Sequence, residues 1–477
     1  MTGRVRRIPR YRASPGSEAL ISTLIIGCAF FMEAADANII VAALPSMGRD
    51  FGTDPVALKI TVVSYVVSLG AFIPLCGWLA DRFSARAVFR AAIGIFVFGS
   101  LICAISPSAP VFTFSRFVQG IGGALMVPVG RIIVVRSVPK HQLVRAMNYL
   151  SLAWYIGPIV APLLGGFIAT YLHWRVMFFI NVPVGLMGLY LSARYLPSSN
   201  GPDPGPFDWL GAGLSALGVT LVLLGLSLVD SGIFADLTAW AMFAAGVCVV
   251  ALYVLHAKRA EHAVLDLEFF ESTTFRASVL GGALFRIGCG AVPFLLPLSL
   301  QIGLGMTAFQ SGLITCASAF GSVFVRPFTA LALRSLGFRD LMLYNAVLSG
   351  TATIACGMFM PGTARVTIWL VVFVGGFLSA LQFASLNTLI YADVPADSVG
   401  RATSVGSVVQ QVSLGLGVAL SGVMLQLSRA LHGHTAVSSS DFWVAFLVAG
   451  LLSFSSIPFI RRLSPNAGRD MVEAGKR

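Results

Sequence analysis

The feature that most constrains this chain is a set of long apolar stretches without a single charge. Gly211–Val229, Leu237–Leu255 and Val366–Tyr391 contain no Asp, Glu, Lys or Arg. A helix rises about 1.5 Å per residue, so roughly 20 such residues cross a hydrocarbon layer about 30 Å thick. With 57% apolar and 11% charged residues, the chain reads as a membrane protein. Fourteen spans are predicted, near 20–41, 57–80, 87–106, 110–133, 146–170, 177–196, 209–229, 237–257, 275–300, 308–331, 340–360, 366–391, 401–428 and 441–461. Short links such as Ser106–Ala109 force neighbouring helices antiparallel. The longest connections on the side of the chain ends, Pro197–Asp208 and His256–Thr274, bracket spans seven and eight. The organisation expected is therefore a basic tail (1–19), a six-helix bundle (20–196), a linker with two inserted spans (197–274), a second six-helix bundle (275–461) and a second tail (462–477).

The net charge of +12 could suggest nucleic acid, but its placement excludes that. With residues near a span end counted with the adjoining loop, 24 of 32 Lys and Arg fall in alternate loops and the tails. Only Arg49, Lys59, Arg175, Arg365 and Arg429 fall in the opposite loops, and three lie inside spans. Positive charge of this asymmetry stays on the cytoplasmic side, which predicts both termini there. The N-terminal arginines before an apolar run imitate a signal peptide, yet the run carries acids and is read as an uncleaved first span. The seven cysteines fall within spans without paired spacing, so they are expected to be small packing residues; no metal site is expected.

Charge inside a span is costly and marks a functional candidate. Glu33 and Asp36 sit three residues apart in Phe30–Pro45, on one helix face. Arg116 opens span four, with Gln119 and Gly120 following. Counted from the outer ends of their spans, Asp36 and Arg116 lie roughly 8 and 9 Å deep, so an ion pair is sterically open to them. The alternative is an Arg116 that snorkels outward alone. Arg286, mid-way along span nine, has no partner evident in sequence, and the second-half spans offer no acid at depth. It either faces a pathway or bonds to helix carbonyls. Arg326 lies near the inner end of span ten; with Asn38 of span one and Arg286 it completes the candidate pathway residues. Gly157, Ala161 and Gly165 recur every four residues, a stripe that lets another backbone approach, with Pro158 and Pro162 favouring a kink. After span two, Gly77, Asp81, Arg82 and Arg86 form a helix end with basic residues at headgroup level. Ser64–Phe89 compares with Ser311–Leu341, and Arg145–Ile168 with Arg401–Met424, as parallel repeats would.

Several of these strings resemble the major facilitator superfamily. Gly77 to Arg86 is similar to its loop signature, with Ser84 where the pattern has a second glycine; the resemblance implies that Asp81 and Arg82 act in gating. Arg116, Gln119 and Gly120 resemble its R-x-x-x-Q-G element, which implies a part in proton coupling. Gly157, Pro158, Ala161, Pro162, Gly165 and Gly166 resemble the element typical of its exporters, with Ala161 replacing a glycine. Asp36 to Pro45, Trp174 to Gly185, Phe207 to Gly211 and Leu296 to Gln301 look like the fourteen-span EmrB/QacA-type drug:proton antiporters, closest to MdtD/HsrA-type members. Asn38 and Val41 depart from that pattern, and Glu33 adds a second acid.

The resemblance implies an all-α major facilitator fold in a bacterial inner membrane. It further implies proton-coupled export of small amphipathic compounds, no enzyme activity, and a proton gradient in place of a cofactor. The expected partners are small-molecule substrate, protons and lipid; nothing identifies a periplasmic adaptor. Uptake or facilitated flux of an organic anion or neutral solute is the alternative, and a non-transporting receptor or scaffold a remoter one.

Overall fold

The computed structural model describes residues 15–138, 140–197, 206–229, 236–260, 263–395, 398–433 and 437–468. Among these, fourteen long helices follow in order. They are α1 Pro15–Ile39, α2 Lys59–Phe72, α3 Ala85–Ile105, α4 Ala109–Ser137, α5 Lys140–Tyr171, α6 Asn181–Tyr195 and α7 Trp209–Leu228, then α8 Asp236–Ala257, α9 Gly282–Leu298, α10 Ala308–Phe324, α11 Arg326–Cys356, α12 Arg365–Leu389, α13 Val399–Leu431 and α14 Ser439–Phe454. Much of the irregularity has a cause in the sequence. Pro74 cannot donate to the helix before it, and α2 passes through a 3-10 turn, Ile73–Leu75, before resuming as Cys76–Phe83. Pro293 and Pro297 sit inside α9, which is flanked by π turns at Ala277–Gly281 and Ser299–Gly303.

Twelve segments are long and apolar enough to cross a membrane. The expected fourteen are met only roughly, because the two remaining positions fall short for different reasons. Helix α10 is apolar but has 17 residues. Helix α11 turns at Gly337, at φ 72°, and carries Arg334, Arg339 and Asp340 around that turn, which divides its apolar run in two.

The packing repeats with a shift of eight helices. In the first six, α1 packs on α5 and α6, α4 on α2 and α3, and α3 on α6. In the last six, α9 packs on α13 and α14, α12 on α10 and α11, and α11 on α14. The two sets meet along two seams that obey the same shift, α2 against α13 and α5 against α10. Helices α7 and α8 pack chiefly on each other, and α7 also covers the α2/α13 seam by touching both. Its start is pinned by Asp208, which accepts from the Gly211 amide at 2.7 Å and faces His256 Nε2 at 2.9 Å. Trp78, Phe207 and Trp209 cluster beside it, with ring centroids 4.8–5.3 Å apart.

The halves are closed at the end opposite the chain termini. There, a shared apolar core joins Ile40, Leu44 and Val63 to Phe294, Leu298 and Leu425. Gln301 donates to the Ala42 carbonyl at 3.2 Å, and Phe309 N–H to Thr170 at 3.0 Å. Arg429 meets Asp54 at 3.3 Å. Lys59, assigned to a loop from its sequence, is instead the fully buried first residue of α2. Its ammonium donates to Gln426 at 2.9 Å and to the Val229 carbonyl at 3.4 Å, which joins both halves to the end of α7. Of the cysteines, five are buried as expected, while Cys28 and Cys248 are exposed.

Ser84 joins α2 to α3 with φ 70°, and among the described non-glycine residues it is alone in having positive φ. Its hydroxyl accepts from the Ala87 amide at 3.4 Å, a weak cap. A side chain in this backbone region costs of order 1–3 kcal/mol, more than a long hydrogen bond returns. Ser84→Gly is therefore expected to raise the thermal unfolding midpoint of the detergent-purified protein; a lowered midpoint would show the cap outweighing the strain.

Candidate functional site

The first half buries a polar cluster built from five helices. Helix α3 crosses α4 so closely that a Cβ on Gly99 would lie 2.6 Å from Gln119 backbone, and one on Gly122 2.6 Å from Phe96 N. That contact brings Ser100 and Gln119 together. Helix α5 approaches α1 through the glycine stripe, where a Cβ on Gly157 would meet Ala34 at 2.7 Å and one on Gly165 would meet Ile39 at 2.8 Å. Gly166 faces the other way, toward Ala308 of α10.

Asp36 and Arg116 meet at the centre of this cluster. Arg116 Nη1 donates to Asp36 Oδ2 at 2.5 Å and to Gln119 Oε1 at 2.6 Å. Gln119 Nε2 donates to Asp36 Oδ1 at 2.9 Å and to Ser100 at 2.6 Å, and Asn181 donates to Asp36 Oδ1 at 2.7 Å. Both ion-pair partners are essentially inaccessible, and a buried pair of this kind persists only when its remaining lone pairs and protons are satisfied. The Arg116 guanidinium also lies over the Tyr65 ring, 4.4 Å from its centroid.

Tyr65 links this pair to Glu33. Its hydroxyl donates to Glu33 Oε1 at 3.0 Å, while Glu33 Oε2 is buried without a hydrogen-bond partner. Glu33 borders a cavity of about 530 Å³ lying between the halves. The cavity is walled by α1, α2, α4 and α5 on one side (Phe30, Val127, Trp154) and by α12 and α13 on the other (Asn387, Thr403, Gln410), toward the helix ends on the chain-termini side. Arg131 stands on its wall as well.

The other predicted residues are placed as follows. Asp81 pairs with Arg136 at the end of α4, and Arg86 donates to the Ala193 carbonyl, so both bind within the first half. Gly77 faces open space and Arg82 is exposed. Asn38 donates to the Ala34 carbonyl at 2.7 Å and borders a second cavity, about 210 Å³, with Pro158, Pro162, Thr315 and Ser379. Arg286 is buried, and its Nη2 donates to Asn387 Oδ1 at 2.7 Å. Arg326 begins α11; its side chain lies outside the described residues. Sequence reasoning missed Tyr65, Ser100, Gln426 and the contact role of Asn181. The available signal was their polarity within apolar helices, which says that a partner exists but not which one.

Fourteen packed helices with a cavity between two sets of six, closed at one end, define a membrane transport protein. The solved structures agree on the fold. A peptide transporter of the POT family in complex with sulfate aligns with TM-score 0.72 at 15% identity over 97% of each chain. A D-xylose–proton symporter aligns with TM-score 0.64 at 15% identity, covering 93% of this chain and 98% of that one. The sequence matches the Major Facilitator Superfamily over residues 26–418, and the chain belongs to that family of transporters. It is 35% identical over 433 residues to a protein of Pectobacterium carotovorum subsp. carotovorum (strain PC1) named as a multidrug resistance protein, MdtD, covering 89% of this chain and 90% of that one. The protein of that name in Escherichia coli O6:H1 is 32% identical over 459 residues, covering 95% and 96%.

Proposed function

We propose that this protein is a proton-driven exporter of small amphipathic, drug-like compounds, seated in a bacterial inner membrane with both termini cytoplasmic. The observation that carries the reading is the chain of contacts from Arg116–Asp36 through Tyr65 to Glu33 at the cavity wall. Protonation of Asp36 removes one charge of a buried pair, and the guanidinium it releases keeps Gln119 and the Tyr65 ring as partners. A shift of that ring moves the hydroxyl that holds Glu33. Occupancy of the proton site and of the cavity are thereby coupled through one side chain, with Asp36 the coupling residue and Glu33 the group that meets substrate. The gradient is adequate without ATP, since one proton at about 150 mV supplies roughly 3.5 kcal/mol. At one-to-one exchange that supports about a 300-fold gradient of a neutral compound. The printed name of the MdtD relatives supports drug-like cargo. The basic loops on the chain-termini side support the orientation.

Accumulation of an amphipathic fluorescent dye in membrane vesicles tests direction and coupling together. Inside-out vesicles acidified in their lumen are expected to accumulate it, and collapse of the pH gradient to release it. Glu33→Gln is expected to shift the dye preference with coupling reduced but present. Gradient-dependent accumulation confined to right-side-out vesicles would instead establish uptake.

A further inference from the structure

We infer that the second-half wall of the cavity is a docking pole for anions, so that the transported compounds include organic anions with an apolar body, the charged group resting on Asn387 with Arg286 behind it. This deepens the function proposed above and rests on it.

Arg286 is only 1% exposed, in the second turn of α9 and near the middle of the apolar segment Thr273–Gly303. Among the described residues no carboxylate pairs with it, and its Nε is buried without a hydrogen-bond partner. Room for it is made by Gly282, where a Cβ would come within 2.8 Å of Nη1. Among the described residues its side-chain hydrogen-bond partner is Asn387, exposed on the cavity wall, and its guanidinium lies 5.8 Å from the Phe383 ring centroid. Because Arg286 takes one lone pair of the Asn387 carbonyl oxygen, that amide keeps both of its N–H donors. A buried cation with no countercharge is held at a cost that a bound anion relieves, and attraction is strong where water is excluded. The opposite wall offers the complement for the apolar body, where Phe30 and Trp154 supply aromatic surface. The two poles therefore orient a ligand across the halves, its anionic group on α12 and its apolar body on α1 and α5.

The test is equilibrium binding to the purified full-length protein in detergent, without a gradient. Three probes of one shape are compared by isothermal titration calorimetry: naphthalene-1-acetate, its methyl ester, and naphthylmethylammonium. The carboxylate is expected to bind at least tenfold more tightly than the ester and the ammonium. Asn387→Leu and Arg286→Met are each expected to bring the carboxylate-to-ester ratio within twofold, and Arg286→Lys to retain part of it. Asn387 lies on the open wall, so its variant reports even if the Arg286 variants fail to fold. Equal binding of carboxylate and ester, tighter binding of the ammonium, no binding of the carboxylate, or an undiminished ratio in Asn387→Leu overturns the proposal. Proton coupling is measured separately in vesicles, so loss of one result leaves the other standing.

Discussion

Asp36→Asn is expected to abolish gradient-driven accumulation while the protein still inserts and reaches the membrane. The amide cannot take up and release a proton, so the exchange loses its ion. It also leaves the buried Arg116 without its countercharge, since the remaining partners, Gln119 and the Tyr65 ring, are neutral. Breaking a buried pair by removing one member costs about 3–5 kcal/mol, more than the pair itself contributes. The variant should therefore unfold at a clearly lower temperature in detergent. The double variant Asp36→Asn/Arg116→Met should recover much of that loss, because it removes the stranded charge, and recover no transport. Stability and coupling thus separate in one series. Normal pH-driven efflux by Asp36→Asn would remove Asp36 from the mechanism whatever the thermal data show.

The second large effect is expected at the seam between α5 and α10. A Cβ on Gly312 would lie 2.1 Å from the Pro162 carbonyl oxygen and 2.9 Å from its carbon, and backbone cannot yield as a side-chain tip would. Gly166 repeats the situation one turn further along, at 2.4 Å from the Ala308 oxygen. Gly312→Val must therefore part the two helices, and with them the closed end of the molecule. Transport is expected to fall by more than tenfold at unchanged expression, because a protein that cannot close one end cannot alternate. On a background with the native cysteines replaced, a cysteine at position 170 should react faster with a membrane-impermeant maleimide in the valine variant. Thr170 contacts Phe309 across this seam, so unchanged labelling and transport would mean that the close approach is not needed.

Much of the architecture was legible because the bilayer imposes length and polarity on each helix independently. The contact between Asp36 and Arg116 was legible for the same reason. Depth along a span can be counted from either end, and only a few residues sit at a matching level. What lies around that pair was not. Tyr65, Ser100 and Asn181 come from three other helices, and their rotation is fixed by side-to-side packing such as that of Gly99 on Gln119. Counting along one chain carries no information about that rotation. Arg286 shows the limit from the other direction. The sequence marked it as needing a partner, yet a neutral asparagine about a hundred positions later leaves no charge pattern to find. Lys59 was misplaced because a lysine near a helix start reads as a headgroup residue, whereas here Gln426 and the Val229 carbonyl replace water around its ammonium.

The inserted pair makes the molecule lopsided in the plane of the bilayer. Helix α7 lies over the α2/α13 seam, while among the described residues the matching α5/α10 seam has no such cover from the inserted pair and lies beside the smaller cavity of Pro158, Pro162 and Thr315. The two seams are thereby closed by different means, one with a third helix laid over it and the other by bare backbone against backbone at Gly312 and Gly166.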